Sequence, residues 1–420
     1  MVGGGWTGLL TAHFLAQRGL QVILLTAGEP GTRQQVMPAG LRPSASLLRA
    51  HEHHGEHAVA AHVAQVRYAM SHLPASLSSS ISYHEADFYT YCRTPSQLFA
   101  LRELQSFGER FGLPCETAVD AGGCPFPVEL SLRAPGLLID SASLADALCR
   151  SIRESGGDVF PHTRVLNANA LQVFTADARV DAGCVLLCTG KPLGLTRRYL
   201  LAQLETRTIV HCRLTGPAPL HTAQFPSMPQ DITLLPVPGG AEALWDAGRT
   251  GIREAEERTA RFGKLLRTRL PDWEAGPLHF RLHTISLDGL PVVGSFRTHN
   301  GHILCACGAA DLPQALLCAQ ALARLALRKP SAADLALRPD RPIPRALRRR
   351  QLIRLRRWHS FSVLRTTPRC SHCRCHLRYH ARARWWGCPY CGSAFGVLGE
   401  RLGGPALADA SISATQRPRW

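Results

Sequence analysis

A chain of 420 residues, 45% of them hydrophobic, has the length and apolar content for two or three domains with sizeable cores. No run approaches the roughly 20 uninterrupted apolar residues of a membrane span, and the glycine-punctuated start that soon reaches Arg18 lacks the pattern of a secretory leader, so a cytoplasmic location is expected. The net charge of +17 is almost wholly arginine, the lysines being Lys191, Lys264 and Lys329, and it peaks in RALRRRQLIRLRRW (345–358); it reads mainly as a solvated linker face, and nucleic acid is not an expected partner.

The opening MVGGGWTGLLTAHFLAQRGLQVILLTAG predicts a turn, a helix and a strand. Gly3, Gly5 and Gly8 form G-x-G-x-x-G, Gly19 stops the helix, and Val22 to Leu25 is a buried-strand run. In a dinucleotide fold the first glycine permits a tight turn and the second lets a pyrophosphate approach the backbone. The third lets the helix pack on the strand, and the helix N-terminus supplies a positive dipole end. Only Met1 and Val2 precede the glycines, where a strand of about five residues is expected, and whether the true N-terminus lies upstream of Met1 is left open. Thr26 stands where an acid would bind the adenosine ribose.

HEHHGEH (51–57) places His53 and His57 one helical turn apart, but Gly55 interrupts it and a solvated segment is the expectation. DSASLADALCRSIRESGGDVFPHTRV (140–165) predicts a helix ending at Gly156-Gly157 and then a strand. ARVDAGCVLLCTGKPLG (178–194) predicts one strand ending in a second glycine turn at Thr189-Gly190. Residues 195–280 are mixed, with a charged helix around 251–269, and suit a substrate-facing sheet. SLDGLPVVGSF (286–296) and HILCACGAADLPQALLCAQALARLALRK (302–329) predict strands, a glycine turn and a long helix with Pro313 in its first turn.

Of the 15 cysteines, ten are scattered through the first 318 residues and read as small buried hydrophobes in a reducing compartment. The other five, Cys370, Cys373, Cys375, Cys388 and Cys391, crowd into 22 positions and ask for a ligand. Cys370-x2-Cys373 and Cys388-x2-Cys391 have the two-knuckle spacing of a four-thiolate zinc site.

Together, Gly3-x-Gly5-x-x-Gly8, Ile139-Asp140 before a helix, Thr163-Arg164-Val165, Cys188-Thr189-Gly190 and Asp288-Gly289-Leu290-Pro291 before a strand–Gly308–helix unit resemble the D-amino-acid-oxidase-like FAD-dependent oxidoreductases. The resemblance spans roughly residues 1–335. It implies an α/β fold: an FAD-binding Rossmann-like domain with an interleaved α+β substrate domain. It also implies FAD held by Gly3, Gly5, Trp6, Thr7 and Gly8, at Thr26, near Val165, and by turns at Thr189, Gly190, Gly294 and Gly308. The implied reaction is oxidation of a C–N bond in a small-molecule amine or amino acid. Arg281 and His283 are the candidates for its carboxylate.

Residues 359–408, after a basic linker at 336–358 and before a tail at 409–420, resemble a degenerate Rieske-type domain, small and all-β. That resemblance implies a [2Fe–2S] centre on Cys370, His372 and Cys388, with Cys391 where a second histidine is expected. The metal is left open between [2Fe–2S] and Zn. An iron–sulfur centre would pass electrons from flavin onward, with an electron-acceptor protein as a further partner. The other reading is a non-catalytic flavoprotein relic whose zinc tail binds a protein or nucleic-acid partner.

Overall fold

The apolar residues that open the chain become the middle of a parallel sheet. The computed structural model describes residues 1–31, 35–71, 81–190, 203–228, 231–248, 252–298, 301–342, 347, 367–372, 376–380, 384–388, 393–403, 406, 408–413 and 416. Val2 bridges Leu25 on one side and Leu187 on the other, both in parallel. It thereby joins the pair Ile23–Leu25 and Asp158–Phe160 to the ladder of Leu186–Leu187, Gly301–Cys307 and Val292–Thr298. Only the last pairing, Val292–Thr298 on Gly301–Cys307, is antiparallel. Continuous apolar runs suit these strands because helices cover the parallel sheet.

Among the described residues the α-helices, in chain order, are α1 (Trp6–Ala16), α2 (Ala45–Ser71), α3 (Pro95–Arg110), α4 (Ser141–Glu154), α5 (Ile252–Arg269) and α6 (Leu312–Ala326). Their ends follow the expected chemistry. Asp140 caps α4 by accepting the Ser143 amide at 2.6 Å, and Asp311 caps α6 through Gln314, with Pro313 in the first turn. α1, α2, α4 and α6 share the largest apolar core. Among the described residues, no helix is long and apolar enough to cross a membrane.

The stretch expected to form one strand at 178–194 is divided. Arg179–Asp181 closes a small antiparallel meander, whereas Leu186–Leu187 joins the parallel sheet. Gly183 between them has no side chain to hold a strand together and marks the break. Residues 191–194 lie outside the described residues.

The second layer, counted among the described residues, is a ten-stranded sheet. It draws strands from 36–140 and from 204–286, so segments far apart in the chain are interleaved in one sheet. Leu204–Thr215 alternates buried and less buried residues along its length, the period-two pattern of a sheet with one covered face. Its neighbours are Gly240–Asp246 on one side and His279–Ser286 on the other.

After α6 the chain folds back. Leu337 joins the main core and Pro339 packs on Gly294. Farther on, Arg378–His380, Trp385–Gly387, Ala394–Phe395 and Arg401–Gly403 make a small antiparallel sheet with its own core around Trp386 and Phe395.

Candidate active site

The three glycines of the first turn meet three separate demands of the backbone. Gly3 has φ +107°, and a Cβ there would lie 2.5 Å from the Cys188 carbonyl oxygen. A Cβ on Gly8 would lie 1.9 Å from the Gly3 carbonyl oxygen, so only glycine lets α1 cross this close. A Cβ on Gly5 would meet nothing within 4 Å, because that face opens into a cleft. Gly8→Ala is therefore expected to cost about 1–3 kcal/mol through overpacking. Thermal melting checks this.

Gly5 is also the N-cap of α1 and offers no side chain to the first-turn amides. Those N–H groups and the positive end of the helix dipole suit an anion at the cleft. The Trp6 indole N–H is buried without a partner among the described residues. A second turn, Thr189-Gly190, and a third, Gly308–Asp311 at the start of α6, complete this wall. The cleft encloses about 520 Å³.

The opposite wall is the large sheet, with Ile209, Phe225, Leu235 and Leu244 as an apolar floor. Arg281 and His283 stand two residues apart on His279–Ser286 and so share a face, and both line the cleft. Desolvation lowers the Arg281 pKa, with Glu242 opposing, but a guanidinium stays charged at neutral pH. Desolvation and then Arg281 bring His283 down to about 4, so its imidazole is neutral at pH 7. Asp246, on the same floor, is already engaged by Arg207 Nε at 2.8 Å.

A nucleotide-phosphate turn, two further backbone turns and a cationic sheet face thus meet in one cleft. Residues 1–325 match the family described as DAO, FAD dependent oxidoreductase. The chain belongs to that family. Glycine oxidase from Geobacillus kaustophilus shares the fold of this oxidoreductase at TM-score 0.62 and 18% identity, over 82% of this chain and 98% of that one. Glycine oxidase from Bacillus cereus ATCC 14579 matches at TM-score 0.62, 16% identity, and 82% and 98% coverage. L-proline dehydrogenase from P. horikoshii matches at TM-score 0.57 and 14% identity, over 80% and 95%. At such identities the likeness is one of fold. No curated protein sequence matches the chain.

FAD fits the cleft on the strength of the open Gly5 face, the uncapped α1 amides and the unpartnered Trp6 donor. Gly5, Trp6, Thr7, Thr189, Gly190 and Gly308 of the oxidoreductase all line it. Gly3 and Gly8 act one layer behind, by shaping the turn. Thr26, Val165 and Gly294 are placed elsewhere. Thr26 is buried, donates its hydroxyl to the Gly28 carbonyl at 3.1 Å and fills the space beside Gly4. Val165 belongs to an apolar cluster with Val2 and Leu25. Gly294 makes room for Pro339, whose Cδ would be 2.3 Å from a Cβ; it is a packing glycine.

Arg42 and Asp311 also line the cleft and were not among the expected residues. The available signal for Arg42 was a charge set between Leu41 and Pro43 directly after the strand Val36–Ala39. In HEHHGEH, Gly55 takes φ +77° and breaks the helical path, while His54 Nε2 reaches Asp288 at 3.0 Å.

In the C-terminal unit of the oxidoreductase, Cys370 and Cys388 are buried in one small core, and His372 is buried as well. Cys373 and Cys391 lie outside the described residues. Among the described residues, no group of three or more His, Cys, Asp or Glu is arranged to hold a metal.

Proposed function

We propose that this oxidoreductase oxidises a C–N bond of a small amine or amino acid whose carboxylate is held by Arg281. The observation that carries the reading is that Arg281 and His283 open onto the same cleft as the glycine turns at Gly5, Gly190 and Gly308. FAD, when bound, supplies the two-electron acceptor for such an oxidation. The chain's own task is binding and orientation. The Arg281 fork suits a carboxylate in a bidentate hydrogen bond. His283, kept neutral, adds no second charge beside it. The apolar floor of Ile209, Leu235 and Leu244 excludes water and strengthens that ion pair. The fold relatives named as glycine oxidase and L-proline dehydrogenase support a small amino acid or cyclic amine.

Anaerobic addition of D- and L-amino acids, N-alkyl glycines and simple amines to the purified flavoprotein is expected to bleach the blue flavin band with at least one of them. A band unchanged across the whole panel overturns the reading.

The buried Cys370 and Cys388 support a thiolate-bound metal in the C-terminal unit. Cys373 and Cys391 would complete a Zn site; His372 and Cys391 would complete a [2Fe–2S] centre able to accept electrons. The same preparation is assayed for zinc, iron and acid-labile sulfide, and a metal-free chain removes both versions.

A further inference from the structure

Beside the cleft lies a smaller cavity of about 40 Å³. Arg42, Ser44 and Asp311 line both spaces, and His62 and Gln314 line only the smaller one. One water needs roughly 10–15 Å³, so this space admits a group of a few heavy atoms.

Two of its polar groups, Arg42 and His62, are poorly satisfied among the described residues. The Arg42 guanidinium carbon sits 3.7 Å from the centre of the Phe225 ring, and its hydrogen bond among the described residues is a long 3.5 Å to Thr90 Oγ1. No carboxylate among the described residues comes within ion-pairing distance of it. His62 is 3% exposed, yet neither ring nitrogen has a hydrogen-bond partner among the described residues. Burial and then Arg341 bring its pKa to about 4, leaving a neutral ring with one N–H to donate. Buried donors left like this cost free energy unless a ligand satisfies them. Asp311 lines the same cavity and its charge acts on Arg42, while its carboxyl accepts the Gln314 amide at 2.9 Å and burial raises its pKa.

The two cationic places are far apart. From the Arg281 strand to the Phe225 strand the sheet passes through Leu204–Thr215, Gly240–Asp246 and Ile232–Val237. Four strand spacings amount to about 19 Å between backbones. Ile209, Leu244 and Leu235 lie between, all apolar.

We propose that the smaller cavity receives a second acidic group of the substrate, held by Arg42 and His62, so that the preferred substrates are elongated dicarboxylic amines or amino acids. This deepens the amine-oxidation reading by naming a substrate class, and it rests on that reading for the reacting end. Calorimetric titration of the holoprotein with decanedioate and dodecanedioate, chains long enough to reach both places, against decanoate and dodecanoate, tests it without turnover. Tighter binding of a diacid than of its monoacid is expected. Arg42→Met should weaken the diacid by about 10- to 100-fold, the loss of a charge-assisted hydrogen bond, and the monoacid far less. Arg42→Lys should recover part of the loss, and His62→Gln should also weaken the diacid selectively. Equal binding of diacid and monoacid to the unmodified protein overturns the proposal, whether or not any variant folds. So does an equal loss of both in Arg42→Met. Diacid preference through Arg42 in a protein that no amine bleaches would overturn only the amine reading.

Discussion

Arg341→Ala is expected to lower the free energy of unfolding by about 3–5 kcal/mol, the cost of stripping one partner from a buried ion pair. Arg341 and Asp288 are 4% and 1% exposed and meet through two bonds, Nε to Oδ2 at 2.9 Å and Nη2 to Oδ1 at 2.8 Å. The remaining guanidinium donors are spent on the Leu290, Pro291 and Leu337 carbonyls. Asp288 also accepts from the Ser286 hydroxyl and faces His54 of α2. The pair therefore ties the chain after α6 to the turn between two sheets and to α2. Asp288→Asn should cost a comparable amount, because it keeps the shape but leaves the Arg341 charge buried without its counter-ion. In a double-mutant cycle the two changes should be far from additive. The hydrogen bond from His54, and Arg341 beside it, hold the Asp288 pKa below the usual carboxylate range against the opposing effect of burial. Its contribution is thus complete above about pH 4 and fades on acidification. The gap in stability between Arg341→Ala and the unmodified protein should narrow in the same direction. Urea unfolding at neutral and acidic pH measures it, and an equal gap at both would assign the loss to packing alone.

What could be read from the sequence was whatever local backbone chemistry dictates. Gly3 and Gly8 are glycines because of a left-handed φ and a 1.9 Å approach, demands that act within eight residues and leave a fixed spacing. Asp140 and Asp311 cap helices three residues away. The motif Asp288-Gly289-Leu290-Pro291 could be recognised, but its reason could not. Asp288 answers Arg341, 53 residues on, and a Cβ on Gly289 would strike the Ser46 carbonyl oxygen of α2 at 2.1 Å. Pairing between distant residues has no period to betray it.

The same limit explains the cleft. Arg281 and His283 were within reach because they precede a recognised motif on one strand. Arg42 was not, because its setting comes from Thr90 and Phe225, on the strands Tyr83–Cys92 and Ala223–Pro226, which pair in parallel only after the chain has passed through three other strands of the sheet. Arg42 sits between Leu41 and Pro43, and nothing in that neighbourhood places an aromatic ring beneath it.

Arg281→Met is expected to reduce kcat/KM for a carboxylate-bearing amine by about 30-fold or more, since truncating one member of a buried charge pair costs about 2–5 kcal/mol. Most of the loss should fall on KM. The carboxylate is remote from the bond that breaks, so its anchor acts alike in ground and transition states. A share falls on kcat to the extent that the anchor also aligns the reacting carbon. Arg281→Lys should restore only part, because an ammonium keeps the charge and loses the fork. His283→Gln should cost much less near pH 7, where the imidazole is already neutral, and should remove any acid limb of the rate profile near pH 4. An amine without a carboxylate sets the control, and its kcat/KM should fall little in Arg281→Met. Equal losses for both amines would mean that Arg281 shapes the cleft rather than grips the substrate.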